Sequence, residues 1–177
     1  MPKIIYYVAV SLDGYIAGEH NEISKFVASG NGVEKYLADL QKYNTVIMGR
    51  RTYEFGYQFG LKPGQPAYPH MEHYIFSDSL ELDELAENVH IEKRYLDRIT
   101  EIRDNSDTDV YLCGGGQFAG WLLDHGLIDH LKLKLNPIVL GSGVPLFGDS
   151  GSSFKGKLIE RASFDEGLEM LTYKIND

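Results

Sequence analysis

The sequence predicts an α/β fold: a mostly parallel central sheet, flanking helices, and antiparallel strands at the C-terminal end. Three observations predict it. Short apolar runs rich in β-formers recur along the chain, helical patterns fall between the earlier ones, and from Leu131 on strand-like alternation resumes with no helix between runs.

The elements follow in order. Ile4 to Val10 is the first strand, and Asp13-Gly14 in the loop after it is a common turn pair. Val33, Tyr36, Leu37 and Leu40 fall at i, i+3, i+4 and i+7, so Val33 to Lys42 forms an amphipathic helix with Glu34, Lys35, Asp39 and Lys42 on its other side. Thr45 to Met48 is a strand leading into an apparent helix start at Gly49-Arg50-Arg51-Thr52; Tyr53 and Tyr57, four apart, would share one helical face. The stretch Gly60-Leu61-Lys62-Pro63-Gly64-Gln65-Pro66 punctuates as a loop. His73 to Ser77 and Val110 to Cys113 are further strands. Gln117 to His125 is a helix, closed by Gly126 where a left-handed residue is wanted. His130 to Leu135 and Glu169 to Ile175 complete the strands, and Asn136-Pro137 predicts a bulge, because proline cannot donate to a ladder.

A chain of 177 residues suits a single domain spanning residues 1–177. Its 17 basic and 26 acidic residues give a formal net charge of -9, which disfavours a general nucleic-acid or anionic-membrane surface. Any anion must therefore meet a local basic site. The lone Cys113 cannot form an internal bridge and is expected to be a small buried hydrophobe. With no basic start followed by a long apolar run, a cytoplasmic protein is expected. His70 and His73 have no further ligands near them in sequence, so no metal site is expected.

Two turns are suited to phosphate. Val110 to Cys113 followed by Gly114-Gly115-Gly116-Gln117 is a strand, a glycine turn and a helix start, which directs free N–H groups and a helix dipole outward. Taken alone, it is equally a tight turn that needs glycine for its backbone. It lacks the Gly-Lys-Ser/Thr ending of a P-loop, and Leu133 to Pro137 stands where a Rossmann fingerprint wants an acidic residue. Gly49-Arg50-Arg51-Thr52 places arginines at the second helix start, either to grip phosphate oxygens or as a solvated surface pair.

The segment Val46-Ile47-Met48-Gly49-Arg50-Arg51-Thr52-Tyr53-Glu54 resembles the part of dihydrofolate reductases that holds the adenosine end of NADPH. Val8-Ala9-Val10-Ser11-Leu12-Asp13-Gly14-Tyr15-Ile16-Ala17-Gly18 is similar to that family's first strand and nicotinamide loop. The variant is closer to riboflavin-biosynthesis reductase domains: Ser11-Leu12-Asp13-Gly14, Gly114-Gly115-Gly116-Gln117, Gly126-Leu127-Ile128-Asp129-His130-Leu131 and Asn136-Pro137-Ile138-Val139-Leu140-Gly141-Ser142-Gly143-Val144-Pro145-Leu146-Phe147 resemble theirs, in a stand-alone chain. The likeness covers nearly the whole sequence and implies the three-layer dihydrofolate-reductase-like fold.

The resemblance implies NADPH as cofactor. Gly49, Arg50, Arg51 and Thr52 would take the 2′-phosphate and pyrophosphate end, Gly114, Gly115, Gly116 and Gln117 the pyrophosphate, Ser77 the adenosine ribose, and Ala9 and Ile16 the carboxamide through backbone groups. It also implies a homodimer. The carboxylate that dihydrofolate reductases carry on their first helix aligns with Val33, leaving Asp13 or Glu34 as proton donor. The expected activity is reduction of a pyrimidine or pterin-like compound, nearest to 5-amino-6-(5-phosphoribosylamino)uracil reductase. Weak folate reduction and non-catalytic nucleotide binding are the alternatives.

Overall fold

Alternation of apolar side chains decides which face of the sheet each strand feeds. In β1 (Ile4–Val10), β3 (Thr45–Gly49) and β6 (Val110–Gly114), Tyr6, Ile47 and Leu112 enter one buried layer, while Tyr7, Val46, Met48 and Tyr111 enter the other. A computed structural model describes residues 1–175. The first layer is covered by α3 (Leu96–Asp104) and α4 (Gly116–Asp124), through Ile99, Ile102, Phe118 and Leu122. The second lies beneath α1 (Asn31–Leu40) and α2 (Arg50–Phe55), through Leu40 and Tyr53. The result is a sheet between two helical layers.

The remaining strands are β2 (Tyr15–Ala17), β4 (Glu72–Phe76), β5 (Val89–Glu92), β7 (His130–Leu135), β8 (Val144–Pro145), β9 (Lys157–Ser163) and β10 (Glu169–Lys174). The main sheet runs β5-β4-β3-β6-β1-β7-β10-β9. It is parallel from β5 to β7; β10 then pairs antiparallel with β7, and β9 with β10. The short pair of β2 and β8 stands apart as a second sheet. Among the described residues, no helix is long and apolar enough to cross a membrane.

Several expectations are corrected. Leu37 does not join the apolar stripe of α1: it is 55% exposed, and the helix instead turns Asp39 inward. At Asn136-Pro137 the strand ends and does not bulge. The Asn136 N–H bonds the carbonyl of Val10, its side-chain oxygen accepts from Val27 N–H at 2.9 Å, and its amide donates to the Lys134 carbonyl at 3.0 Å. The register irregularity falls between Thr172 and Tyr173, where β10 meets β9. Ser77 lies just past β4. Strands β5 and β9 and helix α3 were not expected. The polar edge strand β9 hides no alternating apolar face, and α3 buries only Ile99 and Ile102. Gly126 does adopt a left-handed φ of 67° after α4, and the Tyr53 and Tyr57 rings meet edge to face at 5.6 Å.

Candidate functional site

In parallel α/β sheets, ligands bind beyond the carboxyl ends of the strands. Such a cleft, about 1260 Å³ in volume, opens here where β1, β3, β4 and β6 end, and its two halves are built differently.

One half is made of turns. Gly49 ends β3 and is the residue before α2; Gly115 stands in the same place before α4. Both are extended, neither helix has a side-chain cap, and neither has an acidic residue in its first turn. The first turn of α4 therefore carries no carboxylate of its own, and Gly116 and Gln117 stand on the cleft wall. The glycines are also required by packing. A Cβ on Gly116 would lie 2.4 Å from the Pro145 carbonyl oxygen, one on Gly115 would lie 2.9 Å from Thr52 Oγ1, and one on Gly49 would press on Phe118 at 3.2 Å. Gly114 closes β6 at φ 126°, and the peptide linking it to Gly115 is cis.

Cations ring this half. Arg50 donates to Glu54 Oε1 at 2.9 Å and to Ser79 Oγ at 2.8 Å, which fixes its guanidinium at the rim. Arg51 is exposed on the cleft wall with no ion pair among the described residues. Arg94, just past β5, adds a third cation and reaches Asp78 at 3.8 Å. The Ser77 hydroxyl accepts from the N–H groups of Ser79 and Leu80, at 3.2 and 3.0 Å, and keeps its proton for another acceptor. Gln117 gives its side-chain amide to Asp149 at 2.8 Å, leaving its backbone N–H as its contribution to the turn.

The other half is made of side chains gathered from separate elements and a loop. Tyr36 of α1 and Tyr111 of β6 share a hydroxyl–hydroxyl bond of 2.5 Å. Tyr68 approaches Cys113 Sγ at 3.6 Å, and Lys134 of β7 holds its ammonium 3.3 Å from the centre of the Tyr36 ring. Burial pushes the hydroxyl pKa values of Tyr36, Tyr68 and Tyr111 upward, so they stay protonated donors. Burial also raises the Cys113 thiol. Cys113 is only partly buried and reaches the cleft wall, which corrects the expectation of a purely interior residue. Burial acts in the opposite sense on Lys134, lowering its pKa from 10.5 to about 8.

Of the residues singled out in the sequence, Ala9, Ile16, Gly49, Arg50, Arg51, Thr52, Ser77, Gly115, Gly116 and Gln117 line this one cleft, with Gly114 adjacent. The two carboxylates do not. Asp13 accepts from the Ser11 hydroxyl at 2.5 Å and from the N–H groups of Gly141 and Leu140 at 2.8 and 3.1 Å; these bonds outweigh slight desolvation and hold its pKa down to about 2. At neutral pH it is an acceptor that ties the 138–141 turn to the first loop, not an acid. Glu34 is exposed and off the cleft wall. Each helical residue turns by about 100°, so Tyr36 faces the cleft and Glu34 points to solvent. His73 is fully buried, with Nδ1 bonded to the Met71 carbonyl at 2.9 Å and Nε2 accepting from Tyr68 N–H at 3.0 Å; both ring nitrogens serve the fold.

Sequence reasoning missed Arg94, Ser79, Tyr36 as a cleft residue, Tyr68 and Lys134. Lys134 left one signal, a lysine within the apolar alternation of His130 to Leu135.

Comparison with known proteins agrees with this architecture. Residues 2–170 match the RibD C-terminal domain family. The chain is 27% identical over 184 residues to the Bacillus subtilis (strain 168) protein YyaP, itself described as uncharacterized, covering 98% of this chain and 95% of that one. A putative riboflavin biosynthesis protein from Shewanella sp. PV-4 superposes with a TM-score of 0.82 at 27% identity over the full length of both chains. Dihydrofolate reductase from Enterococcus faecalis, solved with NADP(H), superposes with a TM-score of 0.68 at 18% identity, covering 99% of this chain and 97% of that one. The fold is thus dihydrofolate-reductase-like.

Proposed function

We propose, from the premise that this chain belongs to the RibD C-terminal domain family, that the protein is an NADPH-dependent reductase of a pyrimidine or pterin-like compound. The nearest named activity is 5-amino-6-(5-phosphoribosylamino)uracil reductase. The observation that carries the reading is a single cleft flanked by the uncapped start of α4 and by Arg50, Arg51 and Arg94, with the ends of β1 and β2 beside it. A dinucleotide phosphate needs separated anion sites of this kind.

When bound, NADPH supplies the hydride; the chain's own work is to bind, orient and exclude water. The N–H groups of Gly116 and Gln117 would take the pyrophosphate. Arg50, prealigned by Glu54 and Ser79, and Arg51, free of such ties, would grip the 2′-phosphate. Ala9 and Ile16, which line the same cleft as the tyrosines, would hold the carboxamide through backbone groups. Folate is the less favoured substrate, because no acidic side chain of α1 reaches the cleft.

Fluorescence titration with NADPH and with NADH tests the cofactor. Preference for NADPH supports the reading, and equal weak binding of both overturns the role of the arginines. NADPH oxidation with the ribosylaminopyrimidinone and with dihydrofolate then separates the two reductase readings, and tight binding with no turnover of either favours a nucleotide-binding protein. A homodimer belongs to the same proposal. Edge strand β9, polar over most of its length, leaves Leu158 and Ile159 each 48% exposed, an apolar step that a second copy would cover. Sedimentation of the wild type against Leu158→Lys tests it: a dimer that the variant disrupts is expected, and a monomeric wild type removes it.

A further inference from the structure

Strand β7 carries two lysines on one face, Lys132 and Lys134, and they differ in one respect. Lys132 is paired: its ammonium sits 3.1 Å from Asp39 Oδ2 and 4.8 Å from the Tyr7 ring centre. Asp39 is buried and also pairs with Lys35 and Lys42. Lys134, two residues on, has no carboxylate partner among the described residues and faces the cleft over Tyr36. An unpaired ammonium drawn out of bulk water is costly unless an acceptor meets it. Its neighbours cannot supply that acceptor as an anion. Tyr36 comes from α1, Tyr111 and Cys113 from β6, Tyr68 from the loop before β4, and Met170 stands opposite on β10. Burial keeps the three hydroxyls and the thiol in their neutral forms.

We infer that Lys134, with the Tyr36–Tyr111 hydroxyl pair, forms a recognition site for the acceptor-rich edge of a planar ring, one bearing carbonyl or anionic oxygens. This rests on the reductase reading of the same cleft and adds to it the polarity of the substrate. A ring that presents acceptors gains a charge-assisted bond to Lys134, whereas a protonated diaminopyrimidine-type edge presents donors to a donor site and is rejected. The aromatic walls of Tyr36 and Tyr68 suit a flat ring, and the ammonium fixes which edge points inward.

Barbiturate, a pyrimidine with carbonyl oxygens and an anion at neutral pH, is the test ligand, set against 2,4-diaminopyrimidine. Each is titrated by calorimetry into the full chain, with and without NADPH. The wild type should prefer barbiturate. Lys134→Met should lose at least about tenfold in barbiturate affinity, the scale of one charge-assisted bond, while its Tm confirms folding. Wild-type affinity should fall about 7- to 20-fold between pH 7 and pH 9.5, as an ammonium of pKa about 8 discharges. Lys134→Arg, charged throughout, should bind barbiturate with that pH dependence removed. Preference for diaminopyrimidine, no barbiturate binding, or equal affinity in wild type and Lys134→Met would each overturn the inference. A failure to bind NADPH leaves these ligand titrations readable and strikes only the cofactor reading.

Discussion

The two halves of the cleft obtain their polar groups by different routes. The cofactor half uses turns, where a few consecutive residues supply N–H groups, a helix end and arginines together. The tyrosine-lined half draws Tyr36 from α1, Tyr68 from a loop, Tyr111 from β6 and Lys134 from β7, residues that share a wall only because register and helix phase bring them there. A turn-built site draws its polar groups from consecutive residues. A site assembled across elements draws them from the whole fold, so the first half should fail when the backbone of its turns is altered and the second when its supporting pairs are.

Gly116→Ala should show the largest effect. Its Cβ meets backbone at Pro145 and Gly148, which cannot yield as a flexible side chain could. Overpacking of about 2–3 kcal/mol is expected, a Tm loss of about 5–10 °C, with NADPH affinity reduced in the same protein. Normal NADPH titration in this variant would break the comparison, since the turn would then tolerate what its geometry forbids. Next is Arg50→Ala combined with Arg51→Ala. NADPH affinity should fall about 10- to 100-fold with NADH unchanged and Tm nearly so.

Asp39→Asn probes the other half through its support. Burial works against the Asp39 carboxylate, but hydrogen bonds from Lys35, Lys132 and Tyr7 outweigh it and hold its pKa well below the ordinary 3.8. A depressed folded-state pKa contributes stability that is complete above the unfolded value and is lost as pH falls through the folded one. Urea unfolding at pH 7 should show a loss of about 2–3 kcal/mol in the variant, and the wild type's advantage should shrink below pH 4. An advantage as large at pH 2.5 as at pH 7 would contradict the pairing. Asp13→Asn should do least: a small drop in Tm and no change in any pH profile of NADPH oxidation, because that carboxyl is already ionised above about pH 2. Loss of the alkaline limb, where a proton donor gives up its proton, would return Asp13 to the role of proton donor.

The same division explains what could be read from the chain. Strands β1, β3, β4, β6 and β7 were visible as apolar runs, and the glycine and arginine turns as consecutive residues. Helix α3 was not, because it buries only Ile99 and Ile102 in an otherwise polar segment, and strand β9 was not, because it buries none of its residues. Asp39 looked like the solvent face of α1 while Leu37 looked like its core, and the reverse holds because Lys132 and Tyr7 await the carboxylate. Such a trade between a leucine and an aspartate depends on partners 32 and 93 residues away and leaves no local trace.

The segment Pro145–Gly148 lies against the start of α4. The Leu146 carbonyl accepts from Tyr6 Oη at 2.9 Å, and a Cβ on Gly148 or Gly120 would strike Gln117 or Phe147 at 2.9 and 2.2 Å. Two stretches separated by a strand and a loop thus behave as one moulded part, each the template for the other's glycines. Anyone transplanting the glycine turn into a new scaffold would have to carry this backing strip with it, and a library that varies either stretch alone would return mostly misfolded clones.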